Sequence, residues 1–114
     1  MPTWRRVLRS CRSPLAEALV AREGDRLRCV RRETKWAGWL WCTVRTGGSG
    51  WVPEAWLSLE GEERVLRRDY DATELDVKAG ELLIVGFVEA GWAWATNERG
   101  ESGWVPLENL EDPG

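Results

Sequence analysis

The side chains best equipped for chemistry in this chain are its tryptophans. Nine occur in 114 residues, against one Tyr, one Phe and no His. An indole buries a large apolar area and carries one N–H donor, so the chemistry it serves is recognition. Trp39, Trp41 and Trp51 return 53 residues later as Trp92, Trp94 and Trp104. The pentapeptide Ser-Gly-Trp-Val-Pro at 49–53 returns with them at 102–106.

Catalytic chemistry finds little to work with. Without His there is no Ser–His or Cys–His relay and no imidazole metal ligand. The run Thr-Gly-Gly-Ser-Gly at 46–50 lacks the Lys-Ser/Thr of a phosphate loop. The adjacent Glu62 and Glu63 sit in a joining segment without a cleft. Cys29 and Cys42 fall at interior positions, where a thiol is inert, and nothing beside Cys11 marks a nucleophile. A non-enzyme is expected, with neither metal nor cofactor.

Three cysteines without a C-x-x-C pair argue against a closed disulfide framework. No apolar run approaches the roughly 18 residues of a membrane span. No secretory signal stands at the start of the sequence. A reduced, cytoplasmic chain away from membranes is the expectation.

The elements that must position the indoles repeat as well. The stretch from Gly38 to Leu57 lies over that from Gly91 to Leu110 without a gap. Leu-Val-Ala-Arg-Glu-Gly-Asp-Arg-Leu at 19–27 lies over Leu-Asp-Val-Lys-Ala-Gly-Glu-Leu-Leu at 75–83. Arg-Val-Leu-Arg stands at both 6–9 and 64–67. The chain thus reads as two copies of one unit of roughly 55 residues, a period that signals repeated structural units. The joint would lie in Leu-Glu-Gly-Glu-Glu-Arg, giving domains at 1–60 and 61–112.

Within each copy the local signals are those of strands. Trp92 to Ala95 alternates with period two, putting Trp92 and Trp94 on one face and Ala93 and Ala95 on the other. Asn-Glu-Arg-Gly at 97–100 and the glycines at 47–48 supply hairpin turns. Short strands with frequent turns indicate an all-β barrel or sandwich. So small an interior suits Leu75, Val77, Leu83, Val85, Ala93, Ala95, Val105 and Leu110. In the first copy the matching set is Leu19, Ala21, Leu27, Cys29, Leu40, Cys42, Val52 and Leu57. Trp39, Trp51, Trp92 and Trp104 are then expected outside, as contact surface.

The second copy resembles a Src homology 3 domain over nearly its full length. An opening motif reduced to Leu-Arg-Arg-Asp-Tyr (66–70) is followed by Lys-Ala-Gly-Glu (78–81), Trp-Ala-Trp (92–94) and Gly-Trp-Val-Pro (103–106). The first copy is similar from Leu19 to Leu57. The resemblance implies two five-stranded antiparallel barrels in tandem, each binding extended, proline-rich peptides in an aromatic groove. It places Trp36, Trp39, Trp51, Pro53 and Trp56 in one groove and Tyr70, Trp92, Trp104 and Pro106 in the other. Asp71, Glu74 and Asp76 would form the second copy's acidic specificity loop, and Arg12 stands near the first copy's missing tyrosine.

Charge separates the copies. Residues 1–60 hold 11 Lys/Arg and 6 Asp/Glu, whereas residues 61–114 hold 5 and 13. Arg31, Arg32 and Lys35 beside Trp36 make a basic patch suited to an acidic or phosphate-bearing partner. Opposite charge could draw one barrel against another, within a chain or between chains. A basic aromatic barrel could also stack nucleic-acid bases, but the acidic second copy would repel phosphates. A protein or peptide partner is expected, with structural docking or oligomerisation as the alternative role.

Overall fold

A computed structural model describes residues 4–13 and 17–112. Eleven strands follow in order: β1 (Trp4–Arg6), β2 (Val20–Ala21), β3 (Arg26–Val30), β4 (Trp39–Val44), β5 (Ser49–Pro53), β6 (Leu57–Glu60), β7 (Glu63–Leu66), β8 (Tyr70–Asp71), β9 (Leu82–Glu89), β10 (Trp92–Asn97) and β11 (Ser102–Pro106). The only helical elements among the described residues are single 3₁₀ turns at Glu54–Trp56 and Leu107–Asn109. The fold is all-β with antiparallel sheets, none of them closed.

Packing divides the chain differently from the boundaries 1–60 and 61–112. One compact unit is the continuous stretch Leu15–Thr73, the central unit. The other joins Met1–Pro14 to Glu74–Gly114, the discontinuous unit. Each unit therefore takes its opening strand from the other repeat.

The central unit holds a five-stranded sheet ordered β5-β4-β3-β7-β6 and a two-stranded sheet of β2 and β8. The segment expected to join two domains is instead a hairpin turn inside this sheet. Glu60 pairs with Glu63 across it, and Gly61 takes φ +65°, which a glycine adopts without strain. So tight a turn keeps β7 next to β6, because closing a two-residue loop costs far less entropy than returning to a distant partner. β7 then also pairs with β3, through Arg26↔Val65 and Leu27↔Arg64.

The discontinuous unit is a four-stranded sheet ordered β1-β9-β10-β11. β1 pairs with the start of β9 (Trp4↔Ile84, Arg5↔Leu83, Arg6↔Leu82), and Val7 bridges to Leu110. Ala90, at φ 46°, and Gly91, at φ 87°, make the left-handed turn between β9 and β10. Between the pairs Trp94↔Phe87 and Ala95↔Val85 the register slips at Gly86.

The interiors match the alternation read from sequence. Val7, Leu75, Val77, Leu83, Ala93, Ala95, Val105 and Leu110 form the core of the discontinuous unit, with Val85 packed against it. In the central unit Leu19, Ala21, Leu27, Leu40, Cys42, Val52 and Leu57 are buried, joined by Val44 and Leu66. Cys29 is only half-buried.

The two Arg-Val-Leu-Arg segments do not occupy equivalent places. The Val7 amide donates to the Glu81 carbonyl and its carbonyl accepts from Gly80. Leu66 makes the same two bonds with Asp25 and Gly24. Val7 thus corresponds to Leu66, a slip of one residue from the sequence match. In a strand such a slip exchanges faces: Val7 is buried with Leu8 out, while Leu66 is buried behind a half-buried Val65.

Cys29 and Cys42 face each other across β3 and β4, and their sulfurs are bonded. This corrects the expectation of three reduced thiols. An odd count excludes full pairing, not one pair, and strand register brought these two together. Cys11 remains a free thiol.

Candidate aromatic recognition site

In the central unit alternation turns Leu40, Cys42 and Val44 inward and Trp39, Trp41 and Thr43 outward. Outward residues of the neighbouring strand answer them: Trp39 stands across from Pro53, Trp41 from Trp51 and Thr43 from Ser49. The Trp41 and Trp51 rings meet edge to face at 5.4 Å, and the Arg32 guanidinium lies over Trp41 at 4.7 Å. The β11–β10 pairing repeats this ladder as Trp92↔Pro106, Trp94↔Trp104 and Thr96↔Ser102.

Below Pro53 the 3₁₀ turn Glu54–Trp56 carries Trp56, which meets Tyr70 edge to face at 5.4 Å. The Tyr70 hydroxyl donates to the Trp51 carbonyl, and the Arg68 guanidinium covers Trp56 at 4.0 Å. Tyr70 was expected in a second groove with Trp92, Trp104 and Pro106. The strand exchange instead delivers it to Trp56, within one unit that also holds Trp36, Trp39, Trp51 and Pro53.

The same exchange strips the discontinuous unit. The residue bonded as Tyr70 is bonded is Cys11, whose amide and carbonyl pair with Val77 as Tyr70 pairs with Ala21. The missing tyrosine's place is therefore taken by Cys11, next to Arg12. Asn109, buried, fills the place of Trp56. Trp92 and Pro106 keep their ladder positions, and Trp104 is enclosed by Trp94 and Phe87, each 5.5 Å away.

Orientation was legible; exposure was not. Trp39 is 5% and Trp104 3% exposed, so neither is the open surface expected of it. The reason is visible for Trp104: outward rings cover one another, and a ladder of indoles buries its own members. Trp56, Tyr70, Pro53 and Pro106 are buried too, whereas Trp36, Trp51 and Trp92 are half-buried. Sequence reasoning passed over Trp41, Trp94 and Phe87 as site members. The register pairing Trp41 with Trp51 was the signal that could have found the first.

The charged candidates are engaged. Arg31 reaches both Glu54 carboxylate oxygens, at 3.0 and 3.2 Å, and the Lys35 ammonium sits 4.7 Å over the Trp36 ring. The acidic residues expected in one loop are divided between units. Asp71 accepts the Thr73 amide in the central unit, and Asp76 accepts the Ser13 amide at 2.6 Å in the discontinuous unit. Burial, then Asp76, pushes the Glu74 carboxyl above its ordinary value. Burial also raises the Cys11 thiol, with Glu74 and Asp76 adding to it. A thiol so placed stays protonated near neutral pH and needs alkaline conditions to react.

The exchange also removes the charge contrast. Recounted over the true units, the central unit holds ten basic and ten acidic residues, and the discontinuous unit six and nine.

Among the described residues no cluster of His, Cys, Asp and Glu could hold a metal ion. No helix among them is long and apolar enough to cross a membrane. Compared with protein-family models, curated proteins and solved structures, the chain finds no match.

Proposed function

We propose that the chain is a non-catalytic recognition module built from two Src-homology-3-like barrels. The central unit takes an extended peptide along its aromatic set. The observation that carries this reading is the delivery of Tyr70 to Trp56 by the exchanged strand. Two incomplete sets in the sequence become one fuller set, Trp36, Trp39, Trp51, Pro53, Trp56 and Tyr70, on one unit. The strand order β5-β4-β3-β7-β6 supports the barrel reading. It runs fourth, third, second, first and fifth in the order of the repeated unit, as the resemblance implies. The half-buried Trp36 and Trp51 offer the ring edges that a polyproline II ridge can reach. Arg31, Arg32 and Lys35 beside them favour a segment with acidic flanks.

The test is titration of the labelled chain with extended peptides, proline-rich and acidic-flanked, followed residue by residue by NMR. Shifts concentrated on Trp36, Trp51 and Trp56 are expected, with Trp36→Ala weakening binding at least about tenfold, the scale of a buried aromatic anchor. Unchanged affinity in Trp36→Ala, with the fold intact by circular dichroism, would remove the site.

The burial of Trp39, Trp56 and Tyr70 favours a second reading, in which these rings brace the unit and the module serves only to dock. No peptide shifting any central-unit resonance would select it.

A further inference from the structure

The opening segment, residues 4–13, is held in the discontinuous unit by partners far along the chain. Val7 and Leu8 donate to the carbonyls of Glu81 and Asn109. Gly80 and Glu111 donate to those of Val7 and Arg6, and Cys11 and Val77 exchange both their backbone bonds. The Ala79 amide donates to Ser10 Oγ at 2.9 Å, and the Ser13 amide to Asp76. Almost all of this is backbone recognition by strand addition at the edge of a sheet, a mode that tolerates many sequences.

Side chains add polar anchors: Arg5 donates to the Glu111 carbonyl at 3.0 Å, and Arg6 lies 3.7 Å from the Glu111 carboxylate. Val7 is the one fully buried side chain of the segment and Cys11 is half-buried, while Trp4 and Leu8 are 45% and 52% exposed. The chain also shows that such a slot accepts a strand from another repeat. The central unit holds Leu66 by the bonds that hold Val7, although Leu66 belongs to the second copy. The slot therefore reads backbone pattern, one buried apolar residue and the Arg5–Arg6 contacts, not the origin of the strand.

We propose that the slot between Glu81 and Asn109 is a strand-addition site whose occupant can be residues 4–13 of a second copy of this chain. Two copies that exchange these segments form a closed dimer, using the contacts already present within one chain. Which form prevails is set by concentration. The tethered segment has an effective concentration on the order of millimolar, so exchange grows as the protein approaches that range.

The test uses full-length chains and the pairing of Cys11 with Val77. Directly opposed residues that share two backbone bonds lie within the span a disulfide can bridge. One chain is wild type, with Cys11 as its only free thiol among the described residues. The other carries Cys11→Ser with Val77→Cys. A disulfide between Cys11 of the first chain and the thiol introduced by Val77→Cys in the second forms only when the first chain's segment fills the second chain's slot.

After unfolding and refolding together under mild oxidation at alkaline pH, covalent heterodimer is expected to rise at least about tenfold between roughly 10 µM and 1 mM, as an intermolecular rival to a tether of that effective concentration must. Val7→Asp in the first chain should abolish it. The single variant Val77→Cys, which can bond within its own chain, should close that bond at every concentration and so establishes that the geometry permits it. Closure within the single variant without heterodimer at about 1 mM, the tether's own scale, would overturn the proposal. So would heterodimer indifferent to Val7→Asp. Failure of the single variant to close would remove the slot itself.

Discussion

The same ladder of outward rings is finished differently in the two units. Over Trp41 lies the Arg32 guanidinium. Over Trp94 lies Phe87, stacked at 6.5 Å with its plane 18° from the indole. Arg32 leaves a polar, charged cover that water can share; Phe87, 40% exposed, extends the apolar surface. Where the central unit sets Trp56 against Tyr70, the discontinuous unit has Asn109 and Cys11 at the matching backbone positions. One unit has concentrated aromatic rings and cations, and the other has kept the frame with fewer of them. Contiguity differs as well. The central unit is one stretch of chain, whereas the discontinuous unit must close a loop of some sixty residues before β1 can dock, a cost that grows with length.

The most forceful way to break that contrast is to attack the two equivalent anchors. Val7 and Leu66, each 1% exposed, close the same corner of their units. Val7→Asp places a carboxylate among Leu75, Val77 and Leu110, and burying an unpaired charge costs several kcal/mol, on the order of 3–5. The expected spectrum loses the dispersed amide signals of residues 74–112 and keeps those of 17–73. Leu66→Asp should do the reverse. Collapse of both halves in either variant would show that the units do not stand independently.

The next largest effect falls on the central unit alone. The Cys29–Cys42 bond spans a sequence separation of 13. Constraining a loop of that size stabilises by about 3 kcal/mol in the chain-entropy account. Reduction should therefore lower the denaturant midpoint of the central-unit signals and leave those of residues 74–112 in place. Equal loss in both would attribute the change to something other than this bond.

These effects mark how far the sequence could be read. Alternation identified nearly every core residue, because in a strand the side-chain period is two whatever the partner. The outward direction of Trp39 and Trp104 followed from the same rule. Their burial did not, since it depends on which rings stand across the sheet. The exchange of opening strands hid behind a tetrapeptide. Two copies of Arg-Val-Leu-Arg invite the assumption that each serves its own repeat in one register. The contrary signal was present in Leu-Glu-Gly-Glu-Glu-Arg. In the central sheet the strands on either side of it, β6 and β7, are neighbours, so a two-residue turn between them makes a hairpin, not a linker. The cysteine pair was similarly encoded in register, which a count of thiols does not carry.

The ring covers can be exchanged for a smaller effect. Phe87→Ala removes a stack and an edge contact from the discontinuous unit, and aromatic pairs contribute about 0.5–1.5 kcal/mol each beyond area. Arg32→Ala removes one cation–π contact at an exposed position, worth about 0.5–1 kcal/mol. Thermal unfolding should fall more for Phe87→Ala than for Arg32→Ala. The reverse order would mean that the guanidinium, not the phenyl ring, is the stronger cover.

The smallest difference is electrostatic and turns on one pair of equivalent positions. Glu74 forms a parallel bridge to Trp104, and its repeat counterpart, the uncharged Ala18, bridges instead to Ser49, two residues short of the counterpart of Trp104. Burial, then the charge of Asp76, holds the Glu74 carboxyl above its ordinary value near 4.5. A raised acid binds its proton more tightly in the folded state, so its ionisation opposes folding. Stability of the discontinuous unit should fall as pH rises from about 4.5 through the raised value. Glu101 works in the opposite sense, lowered by hydrogen bonds from Asn97 and Arg99, with its contribution lost as pH drops below 4.5. It is fully exposed, so solvent screens it. Glu74→Gln should therefore flatten the mildly acidic limb of the stability profile for residues 74–112 and raise stability at pH 7. The central-unit profile should not move. An unaltered limb in Glu74→Gln would show that the Glu74 carboxyl does not carry it.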